Sequence, residues 1–147
     1  MFTIKETVEI NAPLATVWGI FSRMEDWKNW NTACENCTLA SGTDIAEGVC
    51  FNFMLRPYYL PLKVTPKIIK CEPGRQVVWA GGRLGIQAEH TFTFKEEGSK
   101  VIVTSVEVFR GLMLIIGKIL FIPGKLHRLT QKMMAQLKEH AEACACE

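Results

Sequence analysis

Charge of one sign is the first thing this 147-residue sequence lacks: 17 lysines and arginines stand against 15 aspartates and glutamates, a net charge of +2. So even a balance gives no global drive toward phosphate neutralisation, and no nucleic-acid partner is expected. The opening Met1-Phe2-Thr3-Ile4-Lys5-Glu6 has no basic segment followed by an apolar one, so the expected location is cytoplasmic. Long apolar runs are missing too. The greasiest stretch, residues 112–122, is roughly half the length of a bilayer span and is interrupted by Lys118. There is no Gly-x-Ser-x-Gly elbow, no His-Glu-x-x-His and no phosphate loop, and Gly81-Gly82 with Gly85 opens a strand pattern where a dinucleotide site would open a helix. None of the three histidines, His90, His127 and His140, is spaced to mark a partner for a cysteine nucleophile. No catalytic motif is thus identified, and no cofactor is expected.

What is present is material for a core. With 48% hydrophobic and 22% charged residues the chain is a folded globular protein, and its length suits one domain over residues 1–147. Six cysteines in a chain without an export signal read as free thiols. Cys50 and Cys71 fall in apolar strand patterns and act as small hydrophobes. Cys34-x-x-Cys37 and Cys144-x-Cys146 could hold zinc only if the tail folded back, or form a redox pair. Neither pair has a zinc-ribbon context, so surface and half-buried thiols are the favoured reading and no metal site is assigned.

Periodicity divides the chain into three zones. Residues 2–10 alternate apolar and polar as a half-buried strand does, and Asn11-Ala12-Pro13 stops them. Val17, Trp18, Phe21 and Met24 give an apolar helical face over 13–22, and a second short helix is expected over 24–30. Period two then dominates to residue 110, broken at Ser41-Gly42, Glu47-Gly48, Pro57, Glu72-Pro73-Gly74, Gly81-Gly82 and Glu96-Glu97-Gly98. Strands are expected at 37–40, 49–55, 60–71, 76–80, 86–95 and 101–109. Beyond Gly111, Leu126, Leu129, Met133, Leu137 and Ala141 recur at helical spacing, a long C-terminal helix set off from 112–122 by Pro123-Gly124. An α+β domain follows, with one antiparallel sheet against a long helix.

In combination these stretches resemble the START/SRPBCC superfamily and its polyketide cyclase/dehydrase-like branch. The carrying residues are Val8-Glu9-Ile10-Asn11-Ala12-Pro13 with Val17-Trp18, Trp27 and Trp30; Val77-Val78-Trp79; the hairpin Glu89-His90-Thr91-Phe92-Thr93-Phe94 through Glu97-Gly98 to Val101; and the last helix. The resemblance covers nearly the whole chain. It implies a helix-grip fold: a curved antiparallel sheet of about seven strands wrapped around the C-terminal helix, with two short helices after the first strand. It also implies a cavity between sheet and helix for an apolar or amphipathic small molecule. The inward faces then offer Phe51, Phe53, Leu55, Val77, Trp79, His90, Phe92, Ser105, Glu107 and Phe109, joined by Leu129 and Met133 from the helix, with Trp30 closing the mouth.

Three functions remain open. Binding or transport of a lipid-like or polycyclic molecule is the first. A polyketide cyclase/dehydrase-type enzyme, with His90 or Glu107 moving protons, is the second; the plainer reading of these two is a satisfied buried polar pair, with orientation of a ligand hydroxyl or carbonyl next, and both point inward only if the strand frame holds, since a shift of one residue turns them to solvent. The third is a protein-interaction module with a vestigial cavity. Arg56, Tyr58 and Tyr59 border the expected entrance, where Arg56 could meet an anionic group, although a solvated loop is the plainer reading. Finally, no acidic residue occurs from Leu112 to Lys138 while Lys118, Lys125, Arg128, Lys132 and Lys138 do, a pattern compatible with transient contact of region 112–138 with an anionic membrane. The plainer reading is again a buried apolar face with a wet lysine side.

Overall fold

A computed structural model describes residues 1–42, 44–56, 61–83, 85–119 and 122–146. Strand β1 (Phe2–Ile10) leads into α1 (Leu14–Ser22) and a 3-10 helix (Met24–Asn29), as the periodicity predicts. Then come β2 (Glu35–Leu39), β3 (Phe51–Leu55), β4 (Leu62–Val64), β5 (Lys67–Glu72), β6 (Gln76–Arg83), β7 (Ile86–Glu97) and β8 (Lys100–Arg110), followed by α2 (Leu114–Ile119) and α3 (Ile122–Ala145). Every pairing is antiparallel, in the orders β1-β8-β7-β6-β5 and β2-β3-β4. The two sheets meet where Cys50 bridges Lys67 and Ile68 N donates to Val49 O at 2.9 Å.

Among the described residues there are eight strands where seven are expected. The stretch taken as one strand over 60–71 is divided at Thr65-Pro66 into β4 and β5. Pro66 has no N–H to give to a ladder, although its carbonyl accepts from Phe51 N at 3.1 Å. Conversely, Gly81-Gly82 does not end β6. A Cβ on Gly81 would lie 3.2 Å from Pro66 Cα, so glycine lets β6 continue where the chain passes closely behind it. Pro123-Gly124 lies inside α3 and does not precede it. Proline occupies the first turn of α3, where its missing N–H costs nothing.

Side-chain alternation across the register puts a continuous apolar face toward the helices. Phe94 pairs with Val103, Phe92 with Ser105 and Val77, and His90 with Glu107 and Trp79. Against the first of these rows lie Phe21 from α1 and Leu137 and Ala141 from α3, all fully buried. Phe21 is the hub: its ring centroid is 4.8 Å from Phe92, 5.0 Å from Phe94 and 5.4 Å from Trp27. Helix α3 is tied to the opposite side of the fold by Thr32 N donating to Gln136 Oε1 at 2.9 Å and Gln136 Nε2 donating to Thr32 Oγ1 at 2.8 Å. A second, smaller apolar cluster of Ile4, Phe109 and Leu114 lies apart, with Phe2, Ile86, Ala88 and Leu126 against it. Among the described residues, no helix is long and apolar enough to cross a membrane.

Candidate functional site

A cavity of about 340 Å³ occupies the end of the interface marked by the smaller cluster. Its origin can be read strand by strand. The inward residues of β7 run Phe94, Phe92, His90, Ala88, and those of β6 run Val77, Trp79, Gly81, with Gly81 paired to Ala88 and Ala88 to Phe109. Aromatic volume gives way to one methyl group and then to none. What the strands withhold is not replaced from the helical side, where Leu114, Pro123 and Leu126 form the far wall. The remaining wall is apolar, including Phe2, Phe53, Leu55, Leu62, Val64 and Ile86; among the described residues its charged or titratable side chains are Arg83, His90 and Glu107.

His90 and Glu107 are direct cross-strand partners on β7 and β8, which is why a single frame decides the orientation of both. His90 Nε2 shares a 2.6 Å hydrogen bond with the buried hydroxyl of Ser105, and the imidazole stacks on Phe92 at 4.2 Å. Its Nδ1 is 3.7 Å from Glu107 Oε1, beyond hydrogen-bond range. Burial penalises charge on both groups. It pulls the His90 pKa down to about 3 and pushes that of Glu107 up to about 8. At neutral pH the imidazole is therefore uncharged and the carboxyl group mostly protonated, so the two form a pair of neutral hydrogen-bonding groups, with no ion pair between them.

Of the residues singled out from sequence, Phe53, Leu55, Trp79, His90, Glu107 and Phe109 line this cavity. The others lie elsewhere. Phe51, Phe92 and Val77 are fully buried behind the wall, Phe51 edge-on to Trp79 at 5.0 Å. Ser105 is likewise buried, and reaches the site only through His90. Met133 and Leu129 pack into the main core. Trp30 does not close the mouth: it packs on Trp27 at 5.6 Å and borders a separate, more polar cleft with Arg23, Asp26 and His140. The 3-10 helix aims Trp27 and Trp30, three residues apart, toward the packed core. Arg56 is held by Glu35, with Nε 2.9 Å from Oε2, and Tyr58 and Tyr59 lie outside the described residues.

Phe2, Ile86, Ala88, Gly81 and Leu126 also line the cavity, and the sequence pattern does not mark them as pocket residues. Their signal is small size or position: Phe2 pairs with Phe109, and Ala88 and Gly81 interrupt otherwise bulky inward rows. The cysteines do not gather. Cys34 lies between the 3-10 helix and β2, Cys37 within β2, and Cys144 and Cys146 near the end of α3, and among the described residues no three His, Cys, Asp or Glu side chains are grouped as metal ligands. Desolvation raises the Cys34 thiol above its ordinary range and pushes Cys37 to about 12, so neither carries the thiolate that redox exchange requires.

The sequence matches the family described as polyketide cyclase / dehydrase and lipid transport over residues 1–142. The chain belongs to this family. Solved structures agree on its fold. TTHA0849 from Thermus thermophilus superposes with a TM-score of 0.82 at 13% identity, covering 98% of this chain and 99% of that one. A START superfamily protein from Mycobacterium smegmatis gives 0.70 at 13%, covering 97% and 96%. The di-domain ARO/CYC StfQ from the steffimycin biosynthetic pathway gives 0.80 at 9%, covering 99% of this chain and 52% of that one. At these identities the likeness establishes a shared helix-grip architecture. No curated protein matches the sequence. Within the family frame, the cavity of this member lies between the sheet and the last helix.

Proposed function

We propose that the protein binds an apolar small molecule bearing one uncharged hydrogen-bonding group, such as a carbonyl or hydroxyl, in the cavity between β6–β8 and α3. The observation that carries this reading is the chemistry of the wall. A hollow of about 340 Å³ is lined almost entirely by carbon, and its two inner polar groups are both neutral at physiological pH. Apolar area supplies affinity and a few placed polar groups supply orientation. A protonated Glu107 donates to a ligand oxygen, while a charged ligand head placed beside His90 and Glu107 would lose its hydration without gaining a counter-ion from either of them. Transport of such a molecule fits the same cavity, as does the family to which the chain belongs.

A second reading has its own support. A carboxyl group titrating near 8, 3.7 Å from a neutral imidazole, can give and take protons near neutrality, as a cyclase or dehydratase acting on a keto chain requires. The open cavity counts against a vestigial, filled-in interaction module.

Native mass spectrometry of the purified protein, followed by a thermal-shift screen across fatty alcohols, sterols and aromatic polyketides, tests the first reading. A ligand at a hundred times its Kd should add about 2.7 kcal/mol, a rise of several degrees in Tm. No adduct and no shift across all three classes overturns it. If Glu107→Gln still binds a keto substrate but no longer converts it, the enzyme reading prevails.

A further inference from the structure

Apart from Met1 and Ile69, the exposed large apolar side chains among the described residues fall in one five-residue stretch: Leu112 (90% exposed), Met113 (40%), Ile115 (69%) and Ile116 (49%). A contiguous group of this kind on a surface marks a contact. Between them, Leu114 turns inward, is buried, and forms part of the cavity wall. The stretch thus has two faces, one to the hollow and one to solvent.

It is also held in place. A Cβ on Gly111 would lie 2.1 Å from Gly85 O, and one on Gly85 2.6 Å from Met113 Cγ, so the turn between β6 and β7 is pressed directly against the start of the stretch. Both glycines have positive φ, +127° and +77°, which side-chain-bearing residues rarely adopt. The apolar tip is therefore fixed beside Arg83, Ile86 and Leu114 on the cavity wall.

Charge identifies the occupant. Between Glu107 and Glu139 the sequence has no acidic residue, yet it has Arg110, Lys118, Lys125, Arg128, Lys132 and Lys138. Arg110, one residue before Gly111, and Arg83, on the same cavity wall as Leu114, are both exposed beside the stretch, whereas further along α3 His127 meets Glu6 and Lys138 meets Glu142. Partner proteins usually meet mixed charges at the rim of an apolar patch. Bulky apolar side chains among cations of one sign are the chemistry of an anionic lipid surface, where the apolar groups enter the headgroup region and each cation adds attraction.

We propose that residues 112–116 dock the protein on an anionic bilayer, with the Leu114 wall of the cavity against the membrane. Docking there places the hollow next to a reservoir of apolar molecules, but the proposal does not depend on what the cavity carries. The test accordingly uses protein with no ligand added. In co-sedimentation with phosphatidylcholine–phosphatidylserine vesicles, the protein should pellet, and pure phosphatidylcholine or high salt should weaken binding. The double variant Leu112→Asp/Ile115→Asp removes exposed side chains only, and should lose affinity about tenfold or more with its Tm unchanged. Ile69→Asp, on β5, should bind as the wild type does. Failure of the wild type to pellet, or equal binding by the double variant, overturns the proposal. So does sedimentation velocity showing a dimer that the double variant dissolves, because a second copy would then cover the patch.

Discussion

The two ends of the sheet–helix interface are built by the same strands and behave in opposite ways. At one end Phe92, Phe94, Val103, Phe21 and Leu137 are buried together in the main core. Four residues further back along β7, Ala88 faces Gly81 and Phe109, and a hollow remains. Because side chains alternate with a period of two, both ends belong to one face, and only the sizes of successive inward residues separate them. The difference teaches that stability and ligand room are distributed along a single axis of the fold. The neutral His90–Glu107 pair stands at the boundary between them.

Helix α3 offers the sharpest way to break this comparison, since it carries a leucine at each end. Leu137 is fully buried in the packed end, and Leu126 is half-buried on the cavity wall. Leucine and alanine differ little in helix propensity, so the same substitution reports packing alone. Leu137→Ala should cost about 2–5 kcal/mol in urea unfolding, as core truncations do, and Leu126→Ala no more than about 1 kcal/mol, because its neighbours already border empty space. Equal costs would mean that the hollow is as tightly organised as the core.

Next in size is the converse experiment of filling the hollow. Ala88→Phe adds an aromatic ring where the wall has only a methyl group. The ring should displace an uncharged apolar probe such as a fluorescent fatty alcohol, lowering its affinity about a hundredfold, while changing unfolding free energy by less than about 1 kcal/mol. Overpacking a filled core would instead cost about 1–3 kcal/mol. A destabilised variant that still binds the probe would place the ligand somewhere else.

These particular residues also explain what could be read before any coordinates. Strand and helix order followed from periodicity, and the parity of β6, β7 and β8 placed Trp79, His90, Glu107 and Phe109 on one inward face. Parity assigns a face but not an end. Phe51, Phe92, Leu129 and Met133 share the inward orientation, yet they meet Trp79, Phe21 and one another where the helices press closely. Which end stays open depends on small residues, Ala88 and Gly81, and a search for bulky pocket-like side chains passes over them. Trp30 and the division at Pro66 escaped for another reason: a 3-10 turn has no apolar periodicity long enough to aim a side chain, and one missing N–H leaves β-propensity on either side unchanged.

The smallest expected effect concerns the boundary itself. Glu107 has a folded pKa of about 8 against an ordinary 4.5, so its contribution to stability is fully present below 4.5 and is lost as the pH rises toward 8. His90, lowered to about 3 from 6.5, acts in the other direction: its contribution is present above 6.5 and is lost as the pH falls toward 3. Above pH 6.5 the Glu107 slope therefore dominates, at about 1 kcal/mol per pH unit, under the limit of about 1.4 kcal/mol per unit for a single proton. Glu107→Gln keeps the shape of the side chain and removes the titration. Subtracting its unfolding free energies from those of the wild type between pH 6.5 and 8 cancels every other group, and the difference should fall steadily across that window. Parallel profiles would mean that Glu107 is already ionised in the folded protein, and the cavity would then present a negative charge to its ligand in place of a proton donor.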